Sequence, residues 1–191
     1  MENIADFLFE VGMLCKTPRS GCQFLGSGRE SVAEHVLRTV FIGYALCKLN
    51  PSLEELRVLK MCVFHDLPEA RTGDMNYVNK KYVQVDETKA VKELTEGLFF
   101  GDDIRKSIEE FNAKETKESL IARDADQIAL ILQLKEYGDL GNKYSEEWIK
   151  YALQRLCTDE GKKLAARIIQ TDSSHWWFKE KSDWWINGNA R

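Results

Sequence analysis

The stretch LRVLKMCVFHDLPEA, residues 56–70, indicates both the fold and a candidate site. Its apolar residues recur with the 3.6-residue period of an amphipathic helix, and the run ends directly in His65 and Asp66. Pro68 disfavours helical geometry at Leu67, so the helix is predicted to end at about this point. Burying two ionisable groups at the end of a core helix is costly unless they are paired or bind a metal.

The same helical period recurs outward from this stretch along the whole chain, whereas the alternation typical of half-buried strands is nearly absent. The sequence therefore predicts an all-α fold, a multi-helix bundle in one domain. We place helices near residues 2–15, 30–49, 53–65, 86–98, 102–112, 116–137, 144–157 and 158–171.

The predicted bundle spans residues 1–171 and is followed by a Trp-rich C-terminal arm, residues 172–191. The arm holds four of the five tryptophans, and we expect its indoles to pack on the bundle or on a second subunit. Two connectors, residues 17–30 and 67–82, are rich in glycine and polar residues and longer than most. Long ordered connectors of this kind are often functional.

Composition excludes several classes of protein. The 191 residues are 43% hydrophobic and 30% charged, with a net charge of −4, so a clustered basic face for nucleic acid is not expected. No apolar run is long enough to span a bilayer, and the N-terminus is acidic where a signal peptide is basic. We expect a cytoplasmic protein with no nucleic-acid or membrane partner, and a homodimer on the base rate for small helical bundles.

The five cysteines are scattered and contain no C-x-x-C pair, so neither a disulfide framework nor a zinc knuckle is predicted. Cys47 and Cys62 lie within apolar helical patterns and are expected to be small buried hydrophobes.

His35 lies in ESVAEHVLR, residues 30–38, within a second amphipathic helix, so its imidazole should point inward or into a groove. A lone histidine on such a face is more often a core residue, but His65 and Asp66 favour a metal site. Imidazole and carboxylate together suit a divalent transition metal such as Mn, Co, Fe, Ni or Zn.

Four elements occur in an order and spacing that resemble the HD-domain phosphohydrolases. They are P-R-x-G from Pro18 to Gly21, E-S-V-A-E-H ending at His35, H-D-x-x-E-x-x-x-G-D from His65 to Asp74, and A-D at Ala125-Asp126. The resemblance covers roughly residues 1–160. It is strongest for the 5′-deoxynucleotidases, which act on nucleoside monophosphates.

This resemblance implies one divalent metal ion bound by His35, His65, Asp66 and Asp126. It also implies that Glu69 is the acid/base, that Arg19 orients the phosphate and that Asp74 hydrogen-bonds the sugar 3′-hydroxyl. The guanidinium fork of Arg19 matches a phosphate. Glu69 can reach a water at the ion without being a ligand. Asp74 follows a turn-like Thr-Gly pair, where an aspartate often bonds its own backbone.

The fourth ligand has two candidates, because LIARDADQIALIL, residues 120–132, contains two aspartates. The apolar face of this helix places Asp124 nearer the core than Asp126. The family motif favours Asp126, which we choose, with Asp124 as the alternative.

The expected activity is a metal-dependent phosphoric monoester hydrolase in which water attacks phosphorus in line with the sugar 5′-oxygen. Alternatives are a hydrolase of nucleoside di- or triphosphates at the same site, or a non-catalytic helical interaction module. Two-metal phosphodiesterases on this fold need further histidines, and none occurs between residues 67 and 174. Many relatives have a tryptophan shortly after the loop arginine, where this chain has Ser20, Gly21 and Cys22, so discrimination of deoxyribose from ribose is left open.

Overall fold

The computed structural model, which describes residues 1–179, 182 and 184–188, consists of α-helices joined by loops and two short 3₁₀ turns. Within those residues there is no β-strand, only an isolated bridge between Pro18 and Ser31, and the predicted all-α fold is confirmed. The helices are α1 (Glu2–Val11), α2 (Cys22–Leu25), α3 (Val32–Leu49), α4 (Glu55–Phe64), α5 (Glu69–Thr72), α6 (Glu87–Leu94), α7 (Gly101–Ala113), α8 (Lys117–Asp139), α9 (Ser145–Leu153), α10 (Asp159–Ile169), α11 (His175–Phe178) and α12 (Trp184–Asn187).

All eight predicted helices are present, and their ends lie within four residues of the predicted ends. Side-chain caps fix four of the starts, those of α3, α6, α8 and α10. Ser31 and Glu34 form a complete capping box at α3, and Thr116 accepts a hydrogen bond from the Ser119 N–H at the start of α8. The short helices α2 and α5 occur inside the two long connectors, where the sequence predicted only loop.

Helix α8 is the centre of the bundle and packs against α3, α4, α7, α9 and α10. Its buried residues cover more than one face, because neighbouring helices surround it. The main core cluster includes Leu46, Met61, Ile128 and Ile131, each fully or almost fully buried. Burying such a side chain contributes roughly 1.5–3 kcal/mol to folding.

Helices α3 and α4 approach closely at Gly43. A Cβ atom at this position would lie 2.7 Å from Sγ of Cys62, which is too close for a normal contact. Both Cys47 and Cys62 are buried, as predicted, and all five cysteines have free thiols. The first turn of α3 and the C-terminal end of α4 lie side by side, with the ring centroids of His35 and His65 5.7 Å apart.

The C-terminal segment forms two short helices whose aromatic rings pack against one another. Ring centroids of Trp177 and Trp185 are 5.6 Å apart, and those of Trp184 and Trp185 are 5.1 Å apart. Of the predicted arm 172–191, residues 180, 181, 183 and 189–191 lie outside the described residues. Among the helices that the structure describes, none combines the length and the apolar character needed to cross a membrane.

Candidate metal centre and cleft

The residues predicted as metal ligands come from three helix segments that meet at one point. His35 lies in the first turn of α3, His65 and Asp66 directly follow α4, and Asp126 lies in α8. Helix α4 ends at Phe64, as the position of Pro68 predicted, so His65 and Asp66 project from the helix terminus. Packing of α3 and α4 against α8 therefore gathers the four side chains.

The distances among these side chains are short. Nε2 of His35 lies 3.0 Å from Oδ1 of Asp126 and 3.6 Å from Oδ2 of Asp66. Nε2 of His65 lies 3.3 Å from Oδ2 of Asp66 and 4.0 Å from Oδ1 of Asp126. Bonds of about 2.0–2.2 Å to one ion place neighbouring ligand atoms about 3–4 Å apart, which is the spacing found here.

A hydrogen bond to the backbone orients the His65 ring. Its Nδ1 atom lies 2.9 Å from the carbonyl oxygen of Cys62, to which it donates when the proton is on Nδ1. Nε2 is then a free lone pair, and it is buried without a hydrogen-bond partner among the described residues. A buried unsatisfied nitrogen facing two carboxylates fits a metal ligand. His35, His65 and Asp126 each offer one ligand atom within 4.8 Å of the others.

Electrostatics keep the Asp126 carboxylate ionised. Burial acts to raise the pKa of Asp126, but the hydrogen bond and charge of His35, with His65 and Arg19, hold that pKa well below its usual range. An ionised carboxylate between two imidazoles suits a divalent cation.

Asp124, the alternative ligand, lies elsewhere. It is fully buried, as the helical period indicated, but its carboxylate accepts hydrogen bonds from the N–H groups of Cys157 and Thr158, each at 2.8 Å, and from Thr158 Oγ1 at 2.5 Å. These contacts fix the turn that begins α10, where Thr158 is the N-cap. Asp124 therefore faces the start of α10, whereas Asp126 faces the histidines.

Arg19 reaches the centre from the 17–30 connector. Its backbone N–H donates to the Glu30 carbonyl at 2.8 Å, and this pairing anchors the connector beside the start of α3. Nη1 of Arg19 donates to Oδ2 of Asp66 at 3.2 Å. Burial acts to lower the pKa of Arg19, but the surrounding carboxylates, Asp66 first, raise it above its usual value. The guanidinium is thus a fixed cation at the edge of the metal centre.

Glu69 begins helix α5, three residues after Asp66. Its Oε2 atom is buried and has no hydrogen-bond partner within the described chain. Burial, together with the charges of Asp66 and Asp74, raises the pKa of Glu69 to about 9, although Arg19 and Lys80 act in the opposite direction. Helix α5 is held from outside by Arg71, which forms ion pairs with Glu10 of α1 and Glu93 of α6.

The Asp74 carboxylate hydrogen-bonds to Ser20 in the other long connector, and not to its own backbone. Its Oδ2 atom accepts hydrogen bonds from the Ser20 N–H at 2.7 Å and from Ser20 Oγ at 3.2 Å, and Oδ1 lies 4.0 Å from Nη1 of Arg19. Asp74 therefore connects the two long connectors and supports Arg19. It also lines the cleft, as does Arg19, so both remain within reach of a ligand.

A cleft of about 200 Å³ opens beside the metal centre. Several of its lining residues have no role in the sequence-based prediction, among them Tyr77, Lys80, Gln127, Trp148 and Arg155. Tyr77 and Lys80 belong to the 67–82 connector, whose length indicated a functional role. The other three lie on or just after helices α8 and α9, and no local pattern in the sequence distinguishes them from surface residues.

The comparisons with known proteins show the family to which the chain belongs. The chain belongs to the HD domain family, whose model matches residues 11–169, and the predicted resemblance is confirmed. It is 31% identical over 149 residues to a Bos taurus protein named 5′-deoxynucleotidase HDDC2, covering 74% of this chain and 71% of that protein. It is also 30% identical over 145 residues to the Schizosaccharomyces pombe 5′-deoxynucleotidase hdd1, covering 71% and 72% of the two chains.

Solved structures share the fold. A conserved hypothetical protein from Pyrococcus furiosus superposes with a TM-score of 0.77 at 26% identity, covering 87% of this chain and 99% of that one. A protein from Magnetospirillum magnetotacticum MS-1, titled as a predicted metal-dependent phosphohydrolase, gives a TM-score of 0.69 at 19% identity, covering 88% and 90%. At that identity the second likeness supports the fold alone.

Proposed function

We propose that this protein is a metal-dependent phosphohydrolase that releases phosphate from nucleoside 5′-monophosphates, with deoxynucleotides as the preferred class. The observation that carries the proposal is the convergence of His35, His65, Asp66 and Asp126 around the unsatisfied Nε2 atom of His65. The names of the relatives, 5′-deoxynucleotidases from a mammal and a yeast, supply the substrate class.

A divalent ion bound at this centre supplies Lewis acidity and lowers the pKa of water. The protein residues supply positioning and proton transfer. Arg19 places a fixed positive charge against the phosphate, whose oxygens gain charge as water attacks in line with the sugar 5′-oxygen. Glu69, whose Oε2 is free, exchanges a proton with the attacking water and the leaving 5′-oxygen.

Asp74 has two tasks in this proposal. It holds Ser20, and through it the backbone next to Arg19, by the hydrogen bonds already described. Its Oδ1 atom, 4.0 Å from Arg19, is the atom we propose for the hydrogen bond to the sugar 3′-hydroxyl.

The test is phosphate release by metal-stripped protein resupplied with Mn, Co, Fe, Ni, Zn or Mg. Substrates are nucleoside mono-, di- and triphosphates in ribo and deoxy forms. We expect metal-dependent release from deoxynucleoside monophosphates that is lost in both His65→Ala and Glu69→Gln, while Arg29→Ala, altered in the same connector as Arg19 but outside this cleft, retains it. Folded wild-type protein that releases no phosphate with any metal would overturn the proposal in favour of a non-catalytic interaction module.

One observation gives a reason to include di- and triphosphates. A second cavity of about 530 Å³ adjoins the cleft and shares Glu69, Met75 and Lys80 with it. Lys80 therefore faces space in which a longer phosphate chain has room. Faster release from triphosphates than from monophosphates would identify this alternative.

We further propose a cytoplasmic location and a homodimer. The frequency of symmetric dimers among small helical bundles supports the homodimer. Light scattering during size-exclusion chromatography decides the second, since a monomeric mass at micromolar concentration would exclude a stable dimer.

A further inference from the structure

The cleft has an apolar wall that phosphate chemistry does not use. Leu25, Leu130 and Trp148 line it and belong to one hydrophobic cluster, which Leu130 joins to the main core cluster. Charged groups are sufficient to bind a phosphate and a metal ion. An aromatic and aliphatic wall next to them suits a planar, largely apolar group attached to that phosphate.

The indole of Trp148 is held in place beside the connector that contains Arg19. Its Cζ3 atom lies 3.7 Å from the point that a Cβ atom would occupy at Gly21, two residues after Arg19. Its ring also packs against Phe24, with centroids 6.4 Å apart and planes tilted by 50°. A ring fixed by two neighbours loses little conformational entropy when a ligand packs against it.

The cleft contains a second aromatic residue, Tyr77, but a cation already occupies one face of its ring. The guanidinium of Arg155 lies 5.0 Å from the Tyr77 ring centroid and also donates a hydrogen bond to Oε1 of Gln127 at 3.2 Å. Gln127 in turn donates to Oδ2 of Asp126 at 2.8 Å. Tyr77 and Arg155 thus form part of the support for the metal centre, and Trp148 is the better candidate for ligand stacking.

We propose that Trp148 is the platform on which the nucleobase stacks, and that it determines how strongly the enzyme prefers nucleotides to base-free sugar phosphates. This inference rests on the proposed function and adds a specificity-determining residue to it. Stacking on an aromatic ring tolerates every base, because each base has a π-face. The enzyme should therefore accept several bases while rejecting compounds that have none.

The experiment compares two substrates in the metal-loaded full-length protein: deoxyadenosine monophosphate and 2-deoxyribose 5-phosphate, which lacks the base. In Trp148→Leu, which keeps apolar volume in the wall, we expect kcat/KM for the nucleotide to fall by about 5- to 100-fold, mainly through KM. The base-free compound should change by less than about twofold, because its contacts do not include the ring. Trp148→Phe, which retains a ring, should recover most of the loss.

Trp176→Ala is the matched control, since Trp176 is highly exposed and does not line the cleft. Equal losses on both substrates in Trp148→Leu would show a purely structural role and overturn the proposal, as would an unchanged rate on the nucleotide. If wild-type protein hydrolyses neither compound, the proposed function fails. Calorimetric binding of deoxyadenosine monophosphate then decides: weaker binding by Trp148→Leu supports the platform, and equal or absent binding overturns it.

Discussion

Nε2 of His35 lies 3.0 Å from Oδ1 of Asp126, although 91 positions separate the two residues in the chain. The contact joins the first turn of α3 to the middle of α8, so it exists only when these helices have packed. It also provides a buried imidazole and an ionised carboxylate at one point, which suits a divalent transition metal. The metal centre is consequently a property of the tertiary fold and not of any single helix.

Replacement of Asp126 by alanine should abolish metal binding. Loss of an outer hydrogen-bond partner of a ligand typically costs 10- to 100-fold in affinity, so loss of the proposed ligand itself should cost at least about 100-fold. The metal content of purified, reloaded protein measures this. Asp139→Ala is the control, because Asp139 lies at the far end of the same helix and pairs with Lys135. Normal metal content in Asp126→Ala would remove Asp126 from the ligand set.

Asp124→Ala should have the opposite effect, with metal binding retained and stability lost. The substitution leaves the N–H groups of Cys157 and Thr158 and the Thr158 hydroxyl without their acceptor. Removing the acceptor from these partly buried donors should lower the free energy of unfolding by about 1–3 kcal/mol. Urea denaturation measures the loss. An unchanged midpoint, or loss of metal from the folded variant, would contradict the assignment of Asp124 to the α10 turn.

Arg19→Lys should lower kcat/KM substantially while preserving the charge. Lysine retains a cation but lacks the planar donor fork that contacts Asp66 and is proposed to contact phosphate. We expect a loss of about 10²- to 10³-fold, in the range found when one stabilising donor is removed from an active site. Steady-state kinetics on a deoxynucleoside monophosphate and the inhibition constant of inorganic phosphate test it. Activity within threefold of wild type would exclude Arg19 from the phosphate site.

The pH dependence of stability should report on Glu69 in metal-free protein. Its pKa is raised from the ordinary value of 4.5 to about 9, so the folded state retains a proton that the unfolded chain loses above pH 4.5. The free energy of unfolding therefore decreases as pH rises through this interval, and the contribution of the neutral carboxyl is fully present only at the acidic end.

Glu69→Gln removes this titration but keeps the shape of the side chain. The free energy of unfolding of wild type, measured relative to that of Glu69→Gln, should therefore fall steadily as the pH rises from 5 to 9. Urea denaturation of both proteins in the presence of a chelator measures this difference. Parallel profiles would show that the Glu69 carboxyl titrates normally.

Gly43→Ala should destabilise the bundle even though alanine favours helices. The added Cβ atom would lie 2.7 Å from Sγ of the buried Cys62, and overpacking of this kind typically costs about 1–3 kcal/mol. The gain in helix propensity is only about 1 kcal/mol. In a Cys62→Ala background the obstruction is absent, and Gly43→Ala should become neutral or stabilising. Thermal denaturation of the four proteins in this double-mutant cycle gives the coupling.

Much of the fold could be predicted because its determinants are local. The apolar period, the Ser31–Glu34 capping box and the position of Pro68 each act over a few residues, and the observed helices follow them closely. The short helices α2 and α5 were missed because four residues contain too little of a helical period to be distinguished from a turn.

Residues of the candidate metal centre could be predicted from the sequence only where a family motif specified them. Helical periodicity correctly indicated that Asp124 is buried, but burial does not reveal the partner, and Thr158 is 34 positions away. Trp148 presents the same difficulty, since its neighbours Gly21 and Phe24 come from the N-terminal connector, more than 100 residues earlier. Contacts of this kind follow from the packing of whole helices and leave no local pattern in the sequence.

The ion pairs of Arg71 make the position of Glu69 sensitive to the salt concentration of the surrounding solution. Arg71 lies two residues after Glu69 and forms ion pairs with Glu10 and Glu93. The Arg71 side chain is 34% exposed and the Glu93 side chain is 47% exposed. Dissolved salt screens pairs at such exposure. Ionic strength therefore acts on the ion pairs that hold α5 to α1 and α6. The salt concentration of the solution thus affects the position of Glu69, although its Oε2 atom is buried.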